Sequence, residues 1–178
     1  MSDNVYLGNP NLKKANTAIE FTQEQILEFV KCKKDPVYFA NNYIKIVSLD
    51  EGLTQFHPYH FQEKLINNFH ENRFNICKMP RQTGKSTTVV SYLLHYAVFN
   101  DSVNIGILAN KAATARELLG RLQTAYENLP KWMQQGIIAW NKGSLELENG
   151  SKILAASTSA SAVRGMSFNI LFLDEFAF

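Results

Sequence analysis

Residues 79–88 read MPRQTGKSTT, and the Gly-Lys-Ser at positions 84–86 has the form of the end of a phosphate-binding loop. The full signature G-x-x-x-x-G-K-[ST] begins with another glycine, and Met79 stands in its place. A glycine is required there only where the backbone takes a positive φ, so methionine is compatible with a loop whose first residue is extended. The stretch is therefore either a nucleotide site with one unusual residue or a chance Gly-Lys-Ser.

The segments on either side of this stretch predict the setting that a phosphate-binding loop needs. Residues 74–79, FNICKM, form a short strand-like run, and an apolar stripe from Val89 to Val98 predicts a helix that begins near Lys85. Backbone N–H groups at such a helix start surround phosphate oxygens, and the helix dipole adds to the attraction. Lys85 is then expected to contact the β- and γ-phosphates, and the Ser86 hydroxyl to bind Mg²⁺. The loop residues predicted to bind the nucleotide are Pro80, Arg81, Gln82, Thr83, Gly84, Lys85, Ser86 and Thr87.

A second motif lies near the end of the sequence, where ILFLDE at 170–175 runs from apolar residues into two carboxylates. It predicts a buried strand with Asp174 and Glu175 at its carboxyl end, which is where open α/β sheets place their ligand crevice. Asp174 is expected to hold Mg²⁺, and Glu175 to take the proton from an attacking water. Each motif alone is also explained by chance, as a helix start or as solvated acids after a strand. Together they favour a nucleoside triphosphate site.

The segment ahead of the loop has helical patterns. A capping box at Thr22, the Asp35-Pro36 pair and an apolar stripe after His57 predict three helices, the second running through DPVYFANNYIKIV. We therefore expect a polar N-terminal tail over residues 1–21 and a helical segment over residues 22–73.

Strand and helix patterns alternate after the loop. A branched, apolar run at 102–110 predicts a strand, a helix is expected over about 111–129, and Asn149-Gly150 lies between two alternating runs that predict a hairpin. This order predicts an α/β fold with a mostly parallel sheet and one inserted hairpin. Residues 74–178 are then a partial P-loop core that ends just after the second motif.

Composition narrows the class of protein. The chain has 178 residues, of which 46% are hydrophobic and 19% charged, as in ordinary globular domains. Its net charge of +2 lacks the strong basic bias of many nucleic-acid-binding proteins, although a small contact with DNA is compatible with it. Cys32 and Cys77 predict reduced thiols, and the four histidines form no zinc pattern. No apolar run is long enough for a membrane span, and the N-terminus lacks a signal sequence, so we expect an intracellular protein.

These motifs resemble the large terminase subunit of tailed bacteriophages, in particular its T-even-like branch. The resemblance rests on MPRQTGKSTT, on DPVYFANNYIKI and FQEKLI upstream, and on ILFLDEFAF at the end. It implies a RecA-like ATPase of the additional-strand type that pulls DNA into a prohead. It also implies a C-terminal nuclease of RNase H-like fold, which is expected to lie beyond Phe178 together with the family's coupling motif.

The resemblance assigns roles to individual residues. Gln62 matches an adenine-reading glutamine, Arg81 a loop arginine proposed to sense the γ-phosphate, and Arg164 the position of an arginine finger in some members. The family's Walker A and Walker B pairs fall on residues already named: Lys85 and Ser86, and Asp174 and Glu175. The implied ligands are ATP and Mg²⁺. The implied partners are double-stranded DNA, the portal protein, the small terminase subunit and further copies in a ring, in the host cytoplasm and without a membrane.

Two other readings share these motifs. A helicase or restriction-type DNA translocase carries the same loop and acidic pair, but its acidic motif usually continues with His or Asp, where this chain has Phe176-Ala177. A nucleotide-binding scaffold without turnover would have no need of Glu175 as a base, which argues against this alternative for the parent protein. For the present chain the scaffold alternative stays open, because the last catalytic elements of the family are expected beyond Phe178. The sequence that follows Phe178 in the parent gene would separate terminase from helicase.

Overall fold

A computed structural model describes residues 4–48, 50–159, 163 and 165–175 of the chain. Its central element is a five-stranded sheet that packs against helices, and two small hairpins lie outside it. In chain order the elements are β1 (Val5–Tyr6), β2 (Asn9–Lys13), α1 (Gln23–Lys34), α2 (Pro36–Tyr43), β3 (Lys45–Ser48), β4 (Gly52–Gln55), α3 (His60–Glu71), α4 (Lys85–Phe99), β5 (Asn104–Ala109), α5 (Ala112–Glu127), β6 (Ile137–Trp140), β7 (Ser144–Leu147), β8 (Lys152–Ser157) and β9 (Ile170–Asp174).

The sheet is mixed, with the strand order β6-β7-β8-β5-β9. The strands β8, β5 and β9 run parallel, whereas β6, β7 and β8 pair antiparallel. The α/β class is confirmed, but a mostly parallel sheet was wrong. The reason lies in the predicted hairpin: a tight turn at Asn149-Gly150, with Gly150 at a φ of 81°, forces β7 and β8 to run in opposite directions, and β6 adds to the same side.

Helix α4 lies at the centre of the hydrophobic core. Eleven of its residues are buried, and they lie on all of its faces. It is covered by α2, α3 and α5, which is the environment expected of a helix that is apolar all round. The predicted face of α5 is buried too, including Leu118, Leu119, Leu122 and Tyr126. In the part of the chain that the structure describes, no helix is both long and apolar enough to cross a membrane.

The predicted caps fix the starts of the first two helices. Thr22 accepts a hydrogen bond from the Gln25 backbone, and the Gln25 side chain accepts one from Thr22 in return. At the start of α2 the Asp35 carboxylate accepts a single capping hydrogen bond, from the Tyr38 backbone N–H, and Pro36 is the first residue of the helix. The predicted continuation of α2 was wrong, because the chain turns extended at Ile44 and β3 pairs with β4 instead.

The N-terminal segment also differs from the prediction. Residues expected to form a polar tail instead contain the hairpin β1–β2, whose Leu12 is buried in the main core. The backbone N–H of Lys13 donates to the Gln134 side chain, and the Lys13 ammonium lies 2.8 Å from a carboxylate oxygen of Glu148. These partners lie more than a hundred residues away, so local sequence could not reveal them.

The run before the loop does not form the predicted strand. Residues 74–79 carry no strand pairing, and the side chains of Phe74 and Ile76 are exposed. The sheet ends at β9 on this side, where Leu171 and Leu173 are also partly exposed. A strand-like composition was therefore not sufficient for pairing.

Candidate nucleotide-binding site

Gly84 marks the transition from the loop to α4. It is the N-cap of the helix, with φ 72° and ψ 15°, a left-handed conformation that glycine adopts without a steric penalty. Its carbonyl accepts two hydrogen bonds of 3.0 Å, from the backbone and the hydroxyl of Thr88. Within the loop, the Thr83 hydroxyl donates to the Pro80 carbonyl. The first backbone N–H groups of α4 thus follow a turn held at both ends, which is the geometry of an anion-binding helix start.

The two sequence motifs meet at one edge of the sheet. Lys85 opens α4, and its Nζ lies 4.0 Å from Oδ1 of Asp174, the last residue of β9. Asp174 is buried and pairs in register with Ala109 of β5, so the carboxylate lies at the carboxyl end of the parallel strands. The Lys85 side chain keeps about a third of its surface exposed, at 29%. The exposed part of the Lys85 ammonium group can therefore contact a phosphate while its other side faces the Asp174 carboxylate.

Glu175 follows directly and faces solvent. It has a φ of 49°, which is uncommon for a residue other than glycine and is frequent at functional sites. Together with Lys85 and Asp174 it lines a cavity of about 630 Å³. The cavity continues between β9 and residues 72–77, and its lining as a whole is mainly apolar.

A second cavity, of about 560 Å³, opens on the other side of the loop. Gln62, Gln82, Thr83, Gly84 and Thr87 line it, so it contains most of the predicted loop residues that the first cavity does not. Gln62 is buried, and both ends of its amide bind backbone atoms. Its predicted role in reading adenine stays a prediction.

Sequence reasoning missed two aromatic side chains beside this cavity. The rings of Tyr59 and Phe61 stack with 5.9 Å between centroids and 10° between planes, and both remain exposed. Their positions next to Gln62 in the sequence were the available signal. A flat, exposed aromatic pair of this kind can pack against a planar ring.

Among the described residues, no hydrogen bond or ion pair joins a side chain of the remaining predicted site residues to that of Lys85 or Asp174. Arg81 is exposed in the loop, and Gln82 beside it has a φ of 62°. Ser86 and Thr87 lie half-buried in the first turn of α4. Arg164 lies outside the described residues.

Asp174 and Ser86 are the predicted Mg²⁺ ligands. Among the described residues there is no group of three or more His, Cys, Asp or Glu side chains that could form a cage for a metal ion. A single buried carboxylate still fits Mg²⁺, since this ion is usually held by one or two carboxylates together with substrate phosphates and water. These two residues therefore fit a Mg²⁺ ion whose remaining ligands are phosphate oxygens and water.

The fold and the candidate site define a class of protein. It is an α/β domain with a mixed sheet, in which a helix that starts at Gly-Lys-Ser lies next to an Asp-Glu pair at the carboxyl ends of the parallel strands. Residues 76–178, more than half of the chain, match the family model of the terminase large subunit, T4likevirus-type, N-terminal. The chain belongs to this family. The predicted resemblance is thereby confirmed, and it decides against a helicase or restriction-type translocase.

A solved structure agrees on the fold. The crystal structure of the HK97 bacteriophage large terminase matches with a TM-score of 0.64 and 17% sequence identity, over 79% of this chain and 30% of that chain. At this identity the likeness concerns the fold alone. The chain spans about a third of the length of that terminase.

Proposed function

We propose that this chain is the ATP-binding and ATP-hydrolysing motor part of a viral terminase large subunit, which drives double-stranded DNA into proheads. The observation that supports it most directly is the approach of Lys85 Nζ to the Asp174 carboxylate, at 4.0 Å, beside the helix start at Gly84. Phosphate needs a cation and free N–H groups, and a metal needs a carboxylate. Lys85 and Asp174 line one cavity, and the backbone N–H groups at the start of α4 lie beside Lys85 in the chain.

Each residue at this edge has a separate task in the proposal. The α4 N-terminus and Lys85 bind the β- and γ-phosphates, and Arg81 reaches the γ-phosphate from the exposed side of the loop. Asp174 and the Ser86 hydroxyl hold Mg²⁺, which offsets the charge of the phosphates when bound. Glu175, exposed at the mouth of the cavity, accepts the proton of the attacking water.

Membership of the family supports a wider proposal for the whole protein. In the whole protein we propose a ring of copies acting with the portal protein and the small terminase subunit, in the host cytoplasm. A C-terminal endonuclease belongs to the same proposal, and so does an arginine finger at Arg164 that acts on a neighbouring copy.

The experiment that tests the nucleotide site compares two lysine substitutions. Lys85→Ala is expected to weaken ATP binding at least tenfold by calorimetry and to remove hydrolysis, since a charged contact to phosphate is lost. Lys152→Ala is the matched control, because Lys152 also pairs with a carboxylate, Glu146 at 2.9 Å, but lies on β8 away from the loop. Equal ATP affinity of the wild type and Lys85→Ala would overturn the proposal.

A further inference from the structure

Gln62 connects the start of one helix to the loop before another. It is the third residue of α3, and only 3% of its surface is exposed. Its Oε1 accepts a hydrogen bond of 2.8 Å from the Tyr59 backbone N–H. Its Nε2 donates one of 3.0 Å to the Thr83 carbonyl. A single buried amide therefore ties the first turn of α3 to the last peptide of the loop.

The second of these bonds fixes the orientation of one peptide group. The bond between Thr83 and Gly84 is trans and planar, so its C=O and N–H point in opposite directions. Because the carbonyl is held by Gln62, the Gly84 N–H is directed away from α3. Gly84 also lies so close that an added Cβ would come within 2.4 Å of Nε2 of Gln62. The peptide is thus held by a hydrogen bond and by packing together.

We propose that Gln62 is a positioning residue for the triphosphate: it orients the Thr83–Gly84 peptide so that the turn is arranged for phosphate before the nucleotide binds. The inference rests on the proposed nucleotide site and adds a residue that acts on the phosphates through the backbone. It differs from the reading of adenine, in which the Gln62 amide would face the base. Both ends of that amide are already bonded to backbone groups, and the side chain is buried.

The two roles predict different ligand profiles. If Gln62 orients the loop, its loss weakens ATP, GTP and inorganic tripolyphosphate by one common factor, since all three use the same turn. The factor expected for one hydrogen bond to a neutral group is about fivefold to tenfold. If Gln62 reads adenine, ATP alone is affected.

The experiment titrates the three ligands, each with Mg²⁺, into the wild type and Gln62→Met by calorimetry. Methionine keeps the length and packing of the side chain and removes both hydrogen bonds. Gln25→Met is the matched control: Gln25 is the third residue of α1 and accepts the Thr22 backbone N–H at 3.1 Å, but it has no bond to the loop. Gln62→Asn, which keeps the amide on a shorter chain that cannot reach both partners, serves if Gln62→Met does not fold.

A common loss of affinity for all three ligands in the Gln62 variant, with no loss in Gln25→Met, supports the inference. A loss confined to ATP overturns it in favour of base reading, and unchanged affinities overturn it outright. A common loss that Gln25→Met shares also overturns it, because helix capping would then be the cause. If the wild type binds none of the ligands, the proposed nucleotide site fails first and the inference falls with it.

Discussion

Gly84→Ala is the most direct test of how the loop is held. The substitution adds one methyl group at a residue whose φ is 72° and whose Cβ would lie 2.4 Å from Nε2 of Gln62. It therefore imposes two separate costs, one on the backbone and one on the contact with α3. The chain offers controls for each.

The magnitude follows from these two terms. Holding an alanine in the left-handed region costs about 1–2 kcal/mol. The Gln62 side chain is flexible and can swing away from the new methyl group, but it then loses its hydrogen bond to Thr83, which is worth about 0.5–1.5 kcal/mol. We expect Gly84→Ala to lower the free energy of unfolding by about 2–3 kcal/mol. Since the turn is displaced, ATP affinity should fall at least tenfold, the size of one lost contact to a charged group.

Substitutions at two other glycines separate the cost of backbone strain from the cost of the contact with Gln62. Gly8 has a φ of 79° with nothing within 4 Å of an added Cβ, so Gly8→Ala carries the backbone strain alone, about 1–2 kcal/mol. Gly120 lies within α5 with nothing within 4 Å, and Gly120→Ala is expected to stabilise the fold by about 0.5–1 kcal/mol through helix propensity. Urea unfolding followed by circular dichroism measures all three, and calorimetry with ATP and Mg²⁺ measures binding.

The test compares the free energies of unfolding of the three variants and their affinities for ATP. If Gly84→Ala is no less stable than Gly8→Ala and keeps its ATP affinity, the contact with Gln62 does not hold the loop. If Gly84→Ala is as stable as the wild type, the left-handed conformation at the start of α4 is wrong as well.

Three further substitutions test other parts of the molecule. Glu175→Gln should leave the Kd for ATP within about twofold and slow phosphate release by about 10²–10⁴-fold, since only the proton acceptor is lost; normal turnover would remove Glu175 from the mechanism. Asp174→Ala should weaken ATP binding in Mg²⁺ more than in EDTA, and equal losses in the two titrations would contradict its role as a metal ligand. Glu148→Ala should cost about 2–4 kcal/mol in urea unfolding, because the buried Gly136 N–H and the Lys13 ammonium lose their acceptor. Burial raises the pKa of Glu148, but the hydrogen bonds from Lys13 and from backbone N–H groups outweigh burial and leave this pKa below its usual value near 4.5. The stabilisation by Glu148 is therefore complete above pH about 4.5 and is lost as the pH falls through the lowered pKa. A stability difference between the wild type and Glu148→Ala that persists unchanged in stronger acid would refute this role of Glu148.

Local signals predicted the elements that carry the site. The capping box at Thr22, the Asp35-Pro36 pair and the apolar stripe of α4 involve neighbours within one or two turns, and each is found where expected. The approach of Lys85 to Asp174 was predictable for a related reason. One residue opens a helix after a loop and the other ends a parallel strand, and both positions fall at the carboxyl edge of a sheet.

Tertiary contacts explain what the sequence did not predict. The hairpin β1–β2 is held by Leu12 in the main core and by polar side chains from the other end of the chain, such as Glu148. The run at 74–79 has the composition of a strand but no pairing, with Ile76 fully exposed. Composition describes what a segment can do, whereas pairing depends on which partner lies alongside it.

The error in the sheet does not affect the approach of Lys85 to Asp174, and the strand order gives the reason. The antiparallel strands β6 and β7 lie at one edge of the sheet and β9 lies at the other, with β8 and β5 between them. Asp174 ends β9, which pairs with β5, and Lys85 opens α4, so neither residue lies on β6 or β7. The hairpin β1–β2 and its partner Glu148 act on the opposite flank, through contacts with the segment around β6 and β7. Glu148→Ala, on the β6–β7 flank, is therefore expected to lower the free energy of unfolding and to leave the affinity for ATP unchanged.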